Sequence, residues 1–127
     1  VPVDFSALRN PRKDMVLVGL AGPAANFLLA LLLSLLWKVI PHYQLNFFIF
    51  NSLITINVVL GVFNLIPIPP LDGSRILMGL LPPRLAYKYA GIDRFGFIII
   101  IVLLWLRVLD LVIFPLVNLI LNLLGQL

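Results

Sequence analysis

The 127-residue chain has no cysteine, no glutamate and a single histidine, His42. Without thiols it forms neither disulfides nor thiolate metal sites. All its acids are aspartates: Asp4, Asp14, Asp72, Asp93 and Asp110. Charged residues make up 11% of the chain and hydrophobic ones 62%, whereas a soluble domain has about 25% and 45–50%. That excludes intrinsic disorder. It also leaves too little polar surface to cover a small water-soluble monomer. The class that remains is a membrane protein. The formal net charge is +4, carried by basic residues scattered between long apolar blocks. Without a basic stripe, this pattern points to basic loops on one side of a bilayer, with no nucleic acid involved.

The apolar residues are grouped into runs of membrane-spanning length. The expected fold is all-α, a multi-pass transmembrane helical bundle forming a single membrane domain over 1–127, with about three spans and an apolar C-terminal tail. The spans are predicted at residues 15–40, 45–66 and 95–114. Residues 1–14 are the most polar stretch, where Pro2 and Pro11 discourage helix and Arg9, Arg12 and Lys13 cluster. The apolar run that follows is too long for a signal peptide and has no small-residue cleavage site. Residues 74–94 mix Arg75, Arg84, Lys88 and Arg94 with apolar residues and are divided by Pro82 and Pro83. They read as an interfacial loop with short helical pieces. Pro115 is expected to break the apolar stretch that follows the third span. Seven basic residues then lie on one face and Lys38 alone near the other, which puts Val1 and Asp72 on the cytoplasmic side.

Polar positions inside the spans fall on faces. Gly22, Asn26, Ala30 and Ser34 recur every four residues, a seam for close helix packing with Asn26 hydrogen-bonded across it. Asn57, Gly61 and Asn64 share a face of the second span. Arg107 and Asp110, three apart, are expected to neutralise each other, and His42 to be solvated in the outer turn. The sharpest feature is N-L-I-P-I-P-P-L-D-G at 64–73. Three prolines in four positions end the helix and unwind the chain where a span should leave the membrane. Gly73 permits a tight turn directly after Asp72. A carboxylate there is either paired with Arg75, or caps the next helix, or binds a cation.

This segment resembles the N-x-x-P-x-P-x-L-D-G motif of the site-2 protease family of intramembrane zinc metallopeptidases, matching it at Asn64, Pro67, Pro69, Leu71, Asp72 and Gly73. A-G-P-A-A-N at 21–26 is similar to the family's G-P-x-x-N element, and L-R-N-P-R-K-D-M at 8–15 to the lead-in of that span in short bacterial and archaeal members. The resemblance implies a protease that cleaves transmembrane protein substrates within the lipid bilayer of a prokaryotic cell membrane. Its zinc is held by two histidines of an H-E-x-x-H helix and by the aspartate matched by Asp72. The Glu of that helix is the general base toward a water whose pKa the metal lowers to about 7. Asn64 would hydrogen-bond an unwound substrate, Asn26 would brace the site, and Pro67, Pro69 and Gly73 would shape it.

The chain departs from the family in having no H-E-x-x-H, so no catalytic residue is assigned within it. His42 lies at the opposite end of the span from Asp72, across about 30 Å of hydrocarbon. Zinc is expected in the complete protein and not bound tightly by this chain alone. Two readings stay open: the C-terminal part of a protease whose N-terminal helices carry H-E-x-x-H, or a degenerate homologue that binds transmembrane helices without cutting them. The first residue, which is not Met, favours a fragment. A small transporter subunit is a weaker third reading, since no repeat relates the spans.

Overall fold

The computed structural model describes residues 11–125. The polar stretch read over 1–14 therefore lies mostly outside the described residues. Those residues form an all-α, multi-pass bundle of six helices: α1 (Pro11–Trp37), α2 (Gln44–Asn64), α3 (Asp72–Leu80), α4 (Pro83–Ala90), α5 (Asp93–Trp105) and α6 (Asp110–Leu123). Helices α1 and α2 are long and apolar enough to cross a bilayer. Their outward Leu28, Leu32, Phe48 and Ile56 are exposed, as expected of a helix apolar on every side in contact with lipid.

Helix α1 starts at Pro11, four residues before the expected span, because proline costs little in a first turn whose N–H groups have no intrahelical partner. It continues through the fully buried Pro23 and ends at Trp37. His42 is not simply solvated there. Its ring stacks on Trp37 with centroids 4.2 Å apart, and its Nε2 lies 2.9 Å from the Trp37 carbonyl oxygen. It thus partners a carbonyl that the helix end leaves open. Phe47 and Phe50 pack on the same indole.

Helix α2 returns along α1, with Gly61 directly against the Phe27 ring. The polar residues of this seam turn inward on their own helices. Ser34 Oγ donates to the Ala30 carbonyl at 2.9 Å and Asn57 Nδ2 to the Leu53 carbonyl at 2.8 Å. Asn26 makes no hydrogen bond across the seam among the described residues. Ser34 and Asn57 need no neighbour because a short polar side chain on a helix reaches the carbonyl one turn back, whereas the Asn26 amide is partly exposed.

The apolar run expected as one span over 95–114 is two helices, α5 and α6, bent by 80°. The break lies at Arg107, which has φ +59°, and not at Pro115, which sits inside α6. The Arg107 N–H donates to the Leu104 carbonyl at 3.1 Å and the Val108 N–H to the Leu103 carbonyl at 3.0 Å. This paired bonding around one left-handed residue is a Schellman ending. Arg107 and Asp110 form no ion pair among the described residues; Arg107 is exposed in the break and Asp110 opens α6. Helix α6 then starts beside the end of α2, where Leu109, Val112 and Leu116 face Val62, Leu65 and Ile66. Because α2 ends at Asn64, α6 can pack on it only by running back along it. The buried row Leu109, Ile113, Val117 and Leu121 joins Ile54, Val58, Val62 and Ile66 in one core.

A non-glycine residue in the left-handed region costs about 1–2 kcal/mol, partly offset by the entropy that glycine loses on folding. Arg107→Gly should therefore raise the stability of the protein in detergent by about 1 kcal/mol. Arg107→Val should lower it, with thermal unfolding followed by helical circular dichroism as the measurement.

Candidate metal centre

The proline break connects α2 to α3 through residues 65–71. The end of α2 tightens first, with the Leu65 N–H donating to the Val62 carbonyl and the Ile66 N–H to the Phe63 carbonyl, both at 3.1 Å. The Ile68 N–H then donates to the Ile66 carbonyl and the Leu71 N–H to the Ile68 carbonyl, both at 2.9 Å. The second of these closes a turn around the cis Pro69–Pro70 bond. Every N–H in the segment is therefore used internally, since Pro67, Pro69 and Pro70 have none. The break therefore has no unused backbone donor. Pro69 is buried and Pro67 exposed.

Asp72 is the first residue of α3, where a carboxylate is favoured by the helix dipole. It makes no side-chain capping bond. The Ser74 hydroxyl fixes the turn instead, donating to the Leu71 carbonyl at 2.7 Å. Gly73 follows because its Cα lies directly under the carbonyl oxygens of Leu65 and Ile66, where a side chain has no room. Asp72 Oδ1 accepts a hydrogen bond from Arg75 Nη1 at 2.8 Å, an ion pair in which each side chain is about one-fifth exposed (Arg75 22%, Asp72 20%). Its other oxygen, Oδ2, lies against Gly22 of α1. One turn earlier, Gly19 faces the Asp72 carbonyl, Ile76 and the Arg75 Cβ. The two sequence motifs, G-P-x-x-N and L-D-G, therefore meet in space.

Asn26 lies one helical turn beyond Gly22 on the same face of α1. Asn64 is the last residue of α2, adjacent to the carbonyls that cover Gly73. Both asparagines are partly exposed and form no hydrogen bond among the described residues. On the opposite side of Arg75 is an open cavity of about 230 Å³ lined by Pro69, Pro70, Ser74, Met78 and Asp93. Nearby on α4, the Tyr89 hydroxyl is buried without a hydrogen-bond partner among the described residues, and desolvation raises its pKa. His42 caps the far end of α1. The fifteen helical steps from Gly22 to Trp37 correspond to about 22 Å of helix, so His42 is remote from Asp72.

Zinc takes nitrogen, sulfur or carboxylate-oxygen ligands, usually three from protein in a catalytic site. Asp72 fits as one such donor. Among the described residues no group of three His, Cys, Asp or Glu side chains comes together. Further donors would have to come from outside these residues. Two contacts were not legible in the sequence: Gly19 and Gly22 as the seat of α3, and Gly96 at the start of α5, whose Cα meets the Pro69 carbonyl. A four-residue spacing of small residues marks a packing face but does not name its partner.

With this geometry in place, comparison with known proteins identifies the class. Residues 43–106, half of the chain, match Peptidase family M50. The chain belongs to this family, that of the site-2 proteases. It is 34% identical to YwhC of Bacillus subtilis, which carries a zinc metalloprotease name, over 127 aligned residues covering 93% of this chain and 58% of that protein. Zinc metalloprotease MJ0392 of Methanocaldococcus jannaschii is 31% identical over 77 residues, 61% of this chain and 23% of that protein. Rip2 of Mycolicibacterium smegmatis, also carrying a zinc metalloprotease name, is 39% identical over 90 residues, 69% of this chain and 35% of that protein. The chain thus spans little more than half the length of YwhC and less of the other two. No solved structure matches it.

The tightest seat is testable through stability. In Gly73→Ala the new methyl meets two backbone carbonyl oxygens, which no side-chain rotation relieves. Overpacking of this kind costs about 1–3 kcal/mol, sometimes more. Gly73→Ala should unfold at distinctly lower temperature than Gly91→Ala, whose methyl meets one carbonyl oxygen, that of Lys88, at the longer distance of 3.3 Å.

Proposed function

We propose that this chain is the part of an intramembrane zinc metalloprotease of site-2 protease type that supplies Asp72 as a metal ligand and receives an unwound substrate segment. The observation that supports this reading best is the convergence of the two motifs, with the Asp72 carboxylate seated on Gly22 of the G-P-x-x-N helix. The zinc metalloprotease names of the relatives agree with it. The remaining ligands and the general base would come from an H-E-x-x-H helix outside this sequence. When bound, zinc polarises a carbonyl and lowers the pKa of water.

The chain's own residues would act on the substrate. A helical peptide bond is shielded by its neighbours, so a transmembrane segment must be extended before it is cut. The proline break presents carbonyl acceptors but no N–H groups. Donors to the substrate's own carbonyls would therefore come from side chains, and Asn64 and Asn26, neither hydrogen-bonded among the described residues, are suited to that role. The seven basic residues Arg9, Arg12, Lys13, Arg75, Arg84, Lys88 and Arg94, against Lys38, favour a cytoplasmic position for Asp72 in a prokaryotic cell membrane. A second reading, a homologue that binds transmembrane helices without cutting them, is favoured by the lack of a group of three ligating side chains among the described residues. An H-E-x-x-H in the upstream coding sequence separates the two.

In the protein expressed from its full coding sequence, Asp72→Ala should abolish metal-dependent cleavage of a transmembrane reporter. Asn64→Ala should reduce cleavage by about 2- to 10-fold, as expected when a neutral hydrogen bond of about 0.5–1.5 kcal/mol to the reacting segment is lost. Unchanged cleavage in Asn64→Ala removes that residue from the site.

A further inference from the structure

We propose that Arg75 is a positioning residue that fixes the rotamer and plane of the Asp72 carboxylate; this rests on the reading of Asp72 as a zinc ligand. An exposed i, i+3 ion pair contributes little, but this one is only about one-fifth exposed and is held from two sides. Arg75 Nη1 ties Oδ1 at 2.8 Å, and Oδ2 is confined by the backbone of Gly22. Between them, rotation of the carboxylate is blocked by α3 on one side and α1 on the other. The arginine is itself seated, since its Cβ stands against Gly19, one turn before Gly22 on α1. A single turn of α1 thus places both members of the pair.

A guanidinium suits this task because it is planar and always charged, whereas lysine is a point charge on a flexible stem. A carboxylate has about four acceptor positions. Arg75 takes one and leaves others for a metal. Groups that orient a ligating carboxylate commonly alter metal affinity by about 10–100-fold when removed. Simple charge repulsion predicts the opposite sign, because removing a cation beside a metal site should tighten binding. The direction of the effect therefore separates positioning from electrostatics.

The test is zinc affinity, measured by chelator competition on the protein expressed from its full coding sequence, in one detergent and with helical circular dichroism as the check on folding. Asp72→Ala should lose tight zinc binding. Arg75→Gln should bind zinc about tenfold or more weakly, and Arg75→Lys should fall between it and the parent. Adding Arg75→Gln to Asp72→Ala should change nothing further, because the arginine acts through the carboxylate. Unchanged or tighter binding in Arg75→Gln, with binding lost in Asp72→Ala, overturns the positioning role and leaves the ligand reading intact. Parent-like affinity in Asp72→Ala overturns both. If Arg75→Gln does not fold, Arg75→Lys decides, and parent-like affinity there overturns the proposal.

Discussion

The structure depends on the close approach of α3 to α1 at Gly19 and Gly22. In a bilayer, lipid tails are as apolar as leucine, so helices associate through close packing and not through exclusion of water. Two missing side chains one turn apart on α1 let the first turn of α3 lie directly on the helix, with the Asp72 carbonyl and carboxylate, Arg75 and Ile76 all in contact. The same device recurs around this point. Gly73 admits the carbonyls that end α2, Gly61 admits the Phe27 ring, and Gly96 admits the Pro69 carbonyl. Helices α1, α2, α3 and α5 are therefore tied to the proline break through positions where backbone replaces side chain.

That network explains how irregular backbone is held beside spanning helices. Non-helical chain at membrane depth is tolerated where its polar groups are satisfied or face an aqueous cavity. Here the requirement is halved by composition, because three of the seven residues between α2 and α3 have no N–H, and the other four donate within the turn. The prolines that end α2 also remove the donors that would otherwise need partners. What remains beside Asp72 are the carbonyls of the break, most of them packed or bonded within the fold, and two asparagine amides.

Much of this was legible in the sequence, for local reasons. That α2 stops at the prolines was visible, although the span was expected to reach residue 66 and the helix ends at Asn64; α3 was foreseen only as short helical pieces within residues 74–94, and the Asp72–Arg75 pair was one of three options left open by their spacing. The helix breaks at Pro82–Pro83 were equally visible. The bend at Arg107 was not, because Schellman endings announce themselves through glycine or asparagine, and this one uses an arginine in a run of leucines and valines. Pro115 was the more conspicuous signal, yet it is accommodated within α6. The partner of the small-residue face on α1 was also hidden. Periodicity shows that a face is narrow, but only the fold decides whether α2 or α3 lies against it.

The ion pair and the proposed metal-binding role of Asp72 belong together physically. A lone carboxylate in a poorly hydrated setting is costly, and chains avoid the cost by pairing or neutralising it. Arg75 supplies the counter-charge from within the same helix, so α3 docks on α1 with its acid paired and aimed. The carboxylate is then preorganised, and a ligand arriving later need not order it. An arginine three residues after the aspartate, on the turn that rests on Gly19, is the arrangement that satisfies both requirements at once. Its removal would be felt first in how the carboxylate is held, before any loss of the surrounding helices.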